Sequence, residues 1–437
     1  MSRSVKFSDK IKLVPDNDVH RSYSLPKRKL KFFFFLVLMT IIILFFCTSH
    51  RNVLPEKLTF FNESHSEQVF TDNENDTYID YNISGEMSVK NSTKNILFWT
   101  RFFNNTDWYT GEEEAGEEVL KSVQCPVTNC FFTHNKELLD GDITKFDAIA
   151  FHGPEFRTKP LPTVRSPDQL YIFVSLESPT AVIDDLTKYK DFYNLTMTYR
   201  LDSDIEFDYG KVISIDTEKV IAPSKNPNWH DIDEDFYDEK LMEMFKKKKS
   251  NIAWFVSNCF TRSRRSILVK KMQNLTTVDI YGQCGPLKCK VDTQECLDML
   301  TSDYKFYLSF ENSLCKDYIT EKIYRPLTQY VIPIVFNGGN TTLFAPPKSF
   351  INANDYDTVE DLVNYLEFLN NNPKEYIKYF WWKRYYYIKS HPVYQYTLCE
   401  LCTKLNDETF MKSSHRYPDI NAWYKNDMCD QNAHIKF

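Results

Sequence analysis

Residues 306–322, reading FYLSFENSLCKDYITEK, constrain this chain more than any other stretch. An apolar, β-prone run over Tyr304–Phe310 stops abruptly at Glu311-Asn312. After a short polar link, Thr320-Glu321-Lys322 opens a helical pattern that continues to about Tyr330. A strand that delivers polar groups to a helix start is how α/β proteins build anion sites, because the first helical N–H groups lack partners and carry partial positive charge. Glu321 suits the dipole of a first helical turn, whereas Lys322 has the wrong sign for it. An ordinary surface turn explains the first residue and not the second, so an anion near Lys322 is expected.

The alternation recurs along the chain from Asn95 onward. Short apolar runs fall at 96–100, 146–152, 170–175, 195–199, 252–257, 278–282, 306–310 and 331–336. Stretches of helical length lie at 262–274, 320–330, 359–369 and 374–389. Strands alternating with helices predict parallel sheets and doubly wound α/β domains. Two such sets, with a charged, strand-poor joint near 231–250, predict two Rossmann-like domains facing across a cleft, at 95–245 and 246–395. A last segment, 396–437, carries a Cys-x-x-Cys pair just past the final helix.

The N-terminus is a different material. Residues 32–47, FFFFLVLMTIIILFFC, are broken only by Thr40, and as a helix they span roughly 24 Å. With Lys31 snorkelling, a span of residues 32–48 is long enough for a thin early-secretory membrane. The preceding Lys27-Arg28-Lys29-Leu30-Lys31 places residues 1–31 in the cytosol as a basic tail. A cleaved signal peptide is the alternative, with Cys47-Thr48-Ser49 as its small residues, but a 31-residue leader is long for that. Residues 49–94 are rich in Asn, Ser, Glu, Asp and Thr without apolar periodicity, which predicts a flexible lumenal stem.

Two counts agree with a lumenal body. Eight Asn-x-Ser/Thr sequons occur, at Asn62, Asn75, Asn82, Asn91, Asn104, Asn194, Asn274 and Asn340, four of them clustered in the stem. Of 11 cysteines, Cys47 lies in the anchor, which leaves an even number fit for disulfides: Cys125, Cys130, Cys259, Cys284, Cys289, Cys296, Cys315, Cys399, Cys402 and Cys429. Cys399-Glu400-Leu401-Cys402 lacks the matched second pair of a zinc ribbon and does not open a helix after a strand, so structural bridges are expected. Its spacing is like that of Cys125 and Cys130, so these pairs would tie the chain's end to the first domain. Cys259, Cys284, Cys289, Cys296 and Cys315 would staple the second, with connectivity open. The tail's nine Lys/Arg against three Asp give it +6, so the remainder of a chain with net charge −7 carries −13. An acidic body of this kind excludes a nucleic-acid or anionic-surface role.

The strand-to-helix block FENS…DYITEK resembles the nucleotide-sugar site of the α1,3/4-fucosyltransferases, an inverting family that uses GDP-fucose. Ser175-Leu176-Glu177-Ser178-Pro179 and the following Tyr199-Arg200-Leu201-Asp202-Ser203-Asp204 resemble its acceptor-domain signature. The resemblance covers about 95–405 and implies a GT-B type pair of domains, the acceptor domain first and the GDP-fucose domain second. It implies that Glu177, which follows the 170–175 strand, is the general base; a surface carboxylate before a proline turn is the plainer reading of the residue alone. It implies that Arg265 binds the donor diphosphate, with Arg264 as its nearest alternative, although an Arg262/Arg264/Arg265 cluster by itself suggests a solvated helix face. It further implies that Lys322 contacts the diphosphate, that Tyr318 lies against the donor, that Glu321 holds its hydroxyls, and that Asn312 is another donor position.

Asp-x-Asp pairs at 140–142, 202–204, 231–233, 233–235 and 355–357 are the kind that hold Mn²⁺ in many nucleotide-sugar enzymes, yet 60 acidic residues produce such pairs by chance. The resemblance implies cations in place of a metal, with no cofactor required and Asp202-Ser203-Asp204 structural. The aromatic run 379–387, YFWWKRYYY, cannot sit on one helix face, and core packing is its simplest role. The chain departs from the family at Gln329–Pro333, where relatives often carry Gly, and at Asn337-Gly338-Gly339-Asn340, a loop expected to border the donor site. The segment 280–289 looks like invertebrate members, which favours a glycan acceptor carrying N-acetylglucosamine in an N-glycan core over an antennal or LacdiNAc one.

Overall fold

A computed structural model describes residues 92–108, 114–158, 160–182, 185–289, 293–390, 393–413, 416–430 and 434–437. The expected tail, the anchor at 32–48, most of the stem, Cys47 and the sequons at Asn62, Asn75, Asn82 and Asn91 lie outside the described residues. Among the described residues no helix is long and apolar enough to cross a membrane.

The first sheet comprises β1 (Lys94–Phe98), β2 (Glu114–Ala115), β3 (Cys130–Thr133), β4 (Ala148–His152), β5 (Leu170–Ser175), β6 (Leu195–Thr198) and β7 (Ile205–Glu206). Their order is β2-β3-β1-β4-β5-β6-β7, and every pair but β2 with β3 is parallel. β8 (Gly210–Ser214) and β9 (Val220–Ala222) follow as an antiparallel pair. The second sheet, parallel throughout, comprises β10 (Ser250–Phe255), β11 (Val278–Tyr281), β12 (Tyr304–Phe310), β13 (Ile332–Phe336) and β14 (Ile351–Asn352) in the order β11-β10-β12-β13-β14. β15 (Tyr386–Ser390) then pairs antiparallel with β8. Strands such as β4 and β13 are buried along their whole length, which is why they read as nearly unbroken apolar runs. In each parallel sheet the strand order reverses, at β1 in the first and β10 in the second. Such switch points open a crevice at the carboxyl ends of the strands.

One core gathers Ile96, Phe132, Ile149, Phe173 and Leu195 of the first sheet with Leu398, Leu401, Leu405, Ile420 and Tyr424 from the end of the chain. The other gathers Ile252, Phe306, Leu308 and Ile334 with Val212, Ala222, Phe236, Leu241 and Phe245, so its packing begins well upstream of residue 246. Disulfides Cys125–Cys399 and Cys130–Cys402 bind the chain's end to the first sheet. Cys259–Cys284 and Cys289–Cys296 stay within the second. Cys315, expected to do likewise, pairs with Cys429 of the final segment instead.

Several local expectations change. The stretch 374–389 is not one helix: a short helix Pro373–Ile377 passes into a 3-10 turn, Lys378–Arg384, and then into β15. Tightening and then extending the chain lets Tyr379, Phe380, Trp381, Trp382 and Tyr386 all enter the core, which a regular helix face would not allow. Cys399 and Cys402 lie one turn apart on the helix Tyr394–Asn406 and not beyond the last helix. The 337–340 loop packs against the backbone of Leu314, Cys315 and Asp317 and lines neither cavity of the cleft described below.

Candidate active site

The carboxyl ends of β10 and β12 flank a cavity of about 220 Å³ lined by Ser257, Asn258, Arg265, Asn312, Glu321 and Lys322, among others. A second cavity of about 310 Å³ shares Asn312, Glu321 and Lys322, and adds Phe103, Leu176, Glu177, Tyr209, Tyr318 and Tyr394. The two spaces therefore meet around one ammonium group. All six residues singled out in the sequence line one or the other, so side chains from Glu177 to Lys322 are brought into a single cleft.

Glu311 organises the cationic wall. Buried at the end of β12, it accepts hydrogen bonds on Oε1 from the Thr320 amide (2.9 Å) and hydroxyl (2.7 Å), while Oε2 lies 3.0 Å from Lys322 Nζ. Thr320 spends its side chain there rather than capping the helix Glu321–Leu327. Lys322 Nζ also donates to Thr320 Oγ1 at 2.7 Å and to Glu321 Oε1 at 3.1 Å. Burial works to lower the pKa of Lys322, but Glu311 and Glu321 outweigh it and raise it. Burial likewise works to raise Glu321, and the Lys322 and Arg325 charges outweigh it and hold that carboxyl below its usual range. In the sequence Glu311 stands out only as the end of a strand. A carboxylate in a run otherwise buried was the signal that it had a fixed cationic partner.

Arg265 opens the helix Arg265–Met272 and is buried, whereas its neighbour Arg264 is exposed and takes the left-handed backbone conformation. Its guanidinium donates to the carbonyls of Phe310 (2.5 Å) and Asn258 (3.1 Å). Nε is buried without an acceptor among the described residues. Burial lowers its pKa, with Glu311 pulling the other way, yet an arginine starts so high that it stays charged. Asn312 Oδ1 is also buried and without a partner among the described residues. A cavity lined by the fixed cations Arg265 and Lys322 suits a polar, anionic ligand.

Across the cleft, Glu177 follows β5, and its carboxyl is raised above the ordinary carboxylate range by burial. Lys322 opposes that shift, Glu321 and Glu311 reinforce it, and a hydrogen bond from the Tyr318 hydroxyl opposes it again. Tyr318 itself is buried and packs edge-on to Tyr199 with ring centroids 5.0 Å apart. The signature residues 200–204 do not line either cavity. Arg200 holds Asp202 through two bonds of 2.7 and 2.6 Å, and Asp204 Oδ2 accepts from the Thr196 amide at 2.8 Å and the Tyr417 hydroxyl at 2.7 Å. Among the described residues no group of three or more His, Cys, Asp or Glu is placed to hold a metal. Of the described sequons, Asn104, Asn274 and Asn340 are exposed, while Asn194 is half-buried and its Oδ1 accepts from the Tyr171 amide at 2.9 Å.

A two-sheet α/β frame with a buried carboxylate on one wall and fixed cations on the other is an arrangement that can serve group transfer. Comparison with known proteins narrows this. Residues 245–423 match the profile of "Glycosyltransferase family 10 (fucosyltransferase) C-term" and residues 91–210 that of "Fucosyltransferase, N-terminal". Alpha-(1,3)-fucosyltransferase C of Drosophila melanogaster is 39% identical over 338 residues, covering 77% of this chain and 78% of that protein. Glycoprotein 3-alpha-L-fucosyltransferase A of the same species is 33% identical over 71% of this chain and 58% of that protein. The bovine 3-galactosyl-N-acetylglucosaminide 4-alpha-L-fucosyltransferase FUT3 is 30% identical over 76% and 81%. A crystal structure of an alpha1,3-fucosyltransferase with GDP-fucose is similar at a TM-score of 0.45 and 14% identity, over 74% of this chain and 92% of that one. The chain belongs to glycosyltransferase family 10, the fucosyltransferases.

Proposed function

We propose that this chain transfers fucose from GDP-fucose to O3 of an N-acetylglucosamine on a glycan, with inversion at fucose C1. The observation that carries the reading is the meeting of the two cavities at Lys322, with Arg265 on one side and Glu177 on the other. The donor diphosphate lies against Arg265 and Lys322, and Asn312, Tyr318 and Glu321 complete the donor side. Glu177 takes the proton from the acceptor hydroxyl, and that oxygen bonds to fucose C1 from the face opposite the diphosphate. The C1–O bond to the nucleotide breaks, and its electron pair leaves with GDP. Arg265 and Lys322 stabilise the charge gathered there, so the reaction requires no metal ion. A carboxyl raised by burial is a stronger base than a free one, and Lys322 across the cavity favours its ionised form.

The body works in the lumen of the Golgi as a single-pass type II membrane protein anchored by residues 32–48. Five disulfides among the described residues and three exposed sequons favour an oxidising, glycosylating compartment. The favoured acceptor is the innermost N-acetylglucosamine of an N-glycan; the fly relative named glycoprotein 3-alpha-L-fucosyltransferase A is in keeping with a glycoprotein acceptor. An antennal or LacdiNAc acceptor is the second reading, and the bovine galactosyl-N-acetylglucosaminide relative favours it.

The full chain, purified in detergent, is tested beside Glu177→Gln with GDP-fucose and a panel of glycans, products being read by mass and linkage. Removing a general base should lower kcat by about 10²- to 10⁴-fold while GDP still binds. Transfer should survive excess chelator. Binding of GDP without transfer to any acceptor would instead indicate a silent lumenal glycan-binding protein of the same fold. A chain that loses no mass on N-glycan removal would refute the lumenal placement.

A further inference from the structure

Glu177 is held through its peptide groups by residues far from it in the chain. The Tyr424 hydroxyl donates to the Glu177 carbonyl, and the Tyr209 hydroxyl donates to the preceding carbonyl, that of Leu176. Ser175 Oγ lies a further 3.3 Å from the Glu177 carbonyl oxygen. Tyr209 arrives from the crossing between the sheets. Tyr424 stands 247 residues beyond Glu177, on the helix Ile420–Lys425, with its buried ring edge-on to Phe173 of β5 at 4.9 Å.

The segment carrying Tyr424 is pinned on both sides of the cleft. On the Glu177 side, Arg200 donates to the Trp423 carbonyl and stacks 3.9 Å over the Trp423 ring. The Tyr417 hydroxyl meets Asp204 at 2.7 Å and Thr196 at 3.0 Å. The signature residues 200–204 are thus the dock of the chain's end. On the opposite wall, Cys429 is bonded to Cys315, and the Lys316 amide donates to the Met428 carbonyl at 2.7 Å. Tyr318, just beyond Lys316, supplies the hydroxyl that reaches the Glu177 carboxylate. One short stretch of chain therefore grips the loop of Glu177 and the wall that faces it.

We infer that Tyr424 is a positioning residue for the general base: its hydroxyl, held on the Glu177 carbonyl, fixes where that residue stands relative to Tyr318 and Lys322. The inference rests on the reading of Glu177 as the base. Proton transfer needs heavy atoms within about 2.6–3.2 Å, and a misplacement of about 1 Å can cost up to about 100-fold in rate. Fixing the peptide on the C-terminal side of the residue removes the backbone rotation that would let the carboxylate wander.

Tyr424→Phe in the full chain keeps the ring and its packing and removes only the hydroxyl. Tyr417→Phe removes a hydroxyl from the same segment at Asp204 and Thr196, away from Glu177. Melting temperature, kcat and the KM for GDP-fucose are measured for both. Tyr424→Phe should lower kcat about tenfold with KM within about twofold, and Tyr417→Phe should lose similar stability with kcat within about twofold. The inference is overturned if Tyr424→Phe keeps wild-type kcat, or if Tyr417→Phe falls as far, since general loosening would then explain both. A wild-type chain that transfers nothing would overturn the base reading, and this inference with it.

Discussion

Gly210 is the position where a single methyl group should be felt in the proposed donor site without touching it. It lies on β8, opposite Ser390 of β15, and faces the helix Glu321–Leu327. A Cβ there would sit 2.4 Å from Tyr324 Cγ and 2.7 Å from each Cδ atom. Carbon atoms rest about 3.5–4.0 Å apart, so the ring would have to retreat by more than about an ångström. Tyr324 is fully buried and has no solvent to swing into, so the helix backbone must move with it. Overpacking of a dense core costs about 1–3 kcal/mol, and a clash against the root of a ring belongs near about 3. At roughly 2 °C per kcal/mol for a chain of this size, Gly210→Ala should melt about 6 °C lower. Tyr324 is two residues from Lys322 on the same helix, so GDP should also bind more weakly, although Gly210 lines neither cavity. Calorimetry with and without GDP measures both effects. Tyr324→Ala added to Gly210→Ala removes the clash, and the double-mutant cycle should show a coupling above about 1 kcal/mol. A Gly210→Ala chain that melts within about 1 °C of wild type and binds GDP normally would refute the argument.

Other perturbations separate the remaining claims. Arg265→Ala removes charge-assisted bonds of about 1.5–3 kcal/mol, so the Kd for GDP should rise about 10- to 100-fold, whereas exposed Arg264→Ala should change it less than about twofold. Equal effects in titration calorimetry would reassign the phosphate contact. Lys248 Nζ is ringed by the carbonyl oxygens of Leu300, Thr301, Tyr304 and Tyr330 at 3.3, 2.6, 2.7 and 2.8 Å, which share its three N–H donors. Lys248→Met should therefore cost about 3 kcal/mol, seen in urea unfolding, and a loss below about 0.5 would mean water replaces the ammonium. Burial, reinforced by Asp208 and Glu400 against Lys211 and Lys404, raises Glu206 from 4.5 to about 7. The folded chain then keeps a proton that the unfolded chain gives up, so Glu206 makes stability fall as pH rises from about 4.5 to about 7. Glu206→Gln should flatten that fall in melting temperature, and an unchanged slope would remove Glu206 as its source.

The eight apolar runs of the sequence all became strands, because a strand covered on both faces has to be apolar wherever it lies. β3 escaped notice since its CFFT is too short to show a period. β8 escaped because Gly210 and Lys211 interrupt it, and only the fold shows Asp208 forming an ion pair with that buried lysine. Lys248 was hidden inside the run 246–249, where composition alone suggests four solvated charges. The residues proposed for the donor side stand out in the sequence because local chain order groups them, strand end to helix start, and the structure sets them along one cleft. Glu311 and Tyr424 do not stand out in this way, since the worth of each depends on a partner that only packing brings near.

The pairing of Cys125 with Cys399 and of Cys130 with Cys402 spans 274 and 272 residues. A chain made from its N-terminus onward must therefore be nearly complete before the first sheet receives its covering helix. Until then the surface destined for Leu398, Leu401 and Leu405 stays open to chaperones and to wrong partners. A premature stop after residue 390 would do more than trim a tail: it would leave the earliest-made half of the enzyme unfinished, and quality control would meet an open core and not merely a shortened protein.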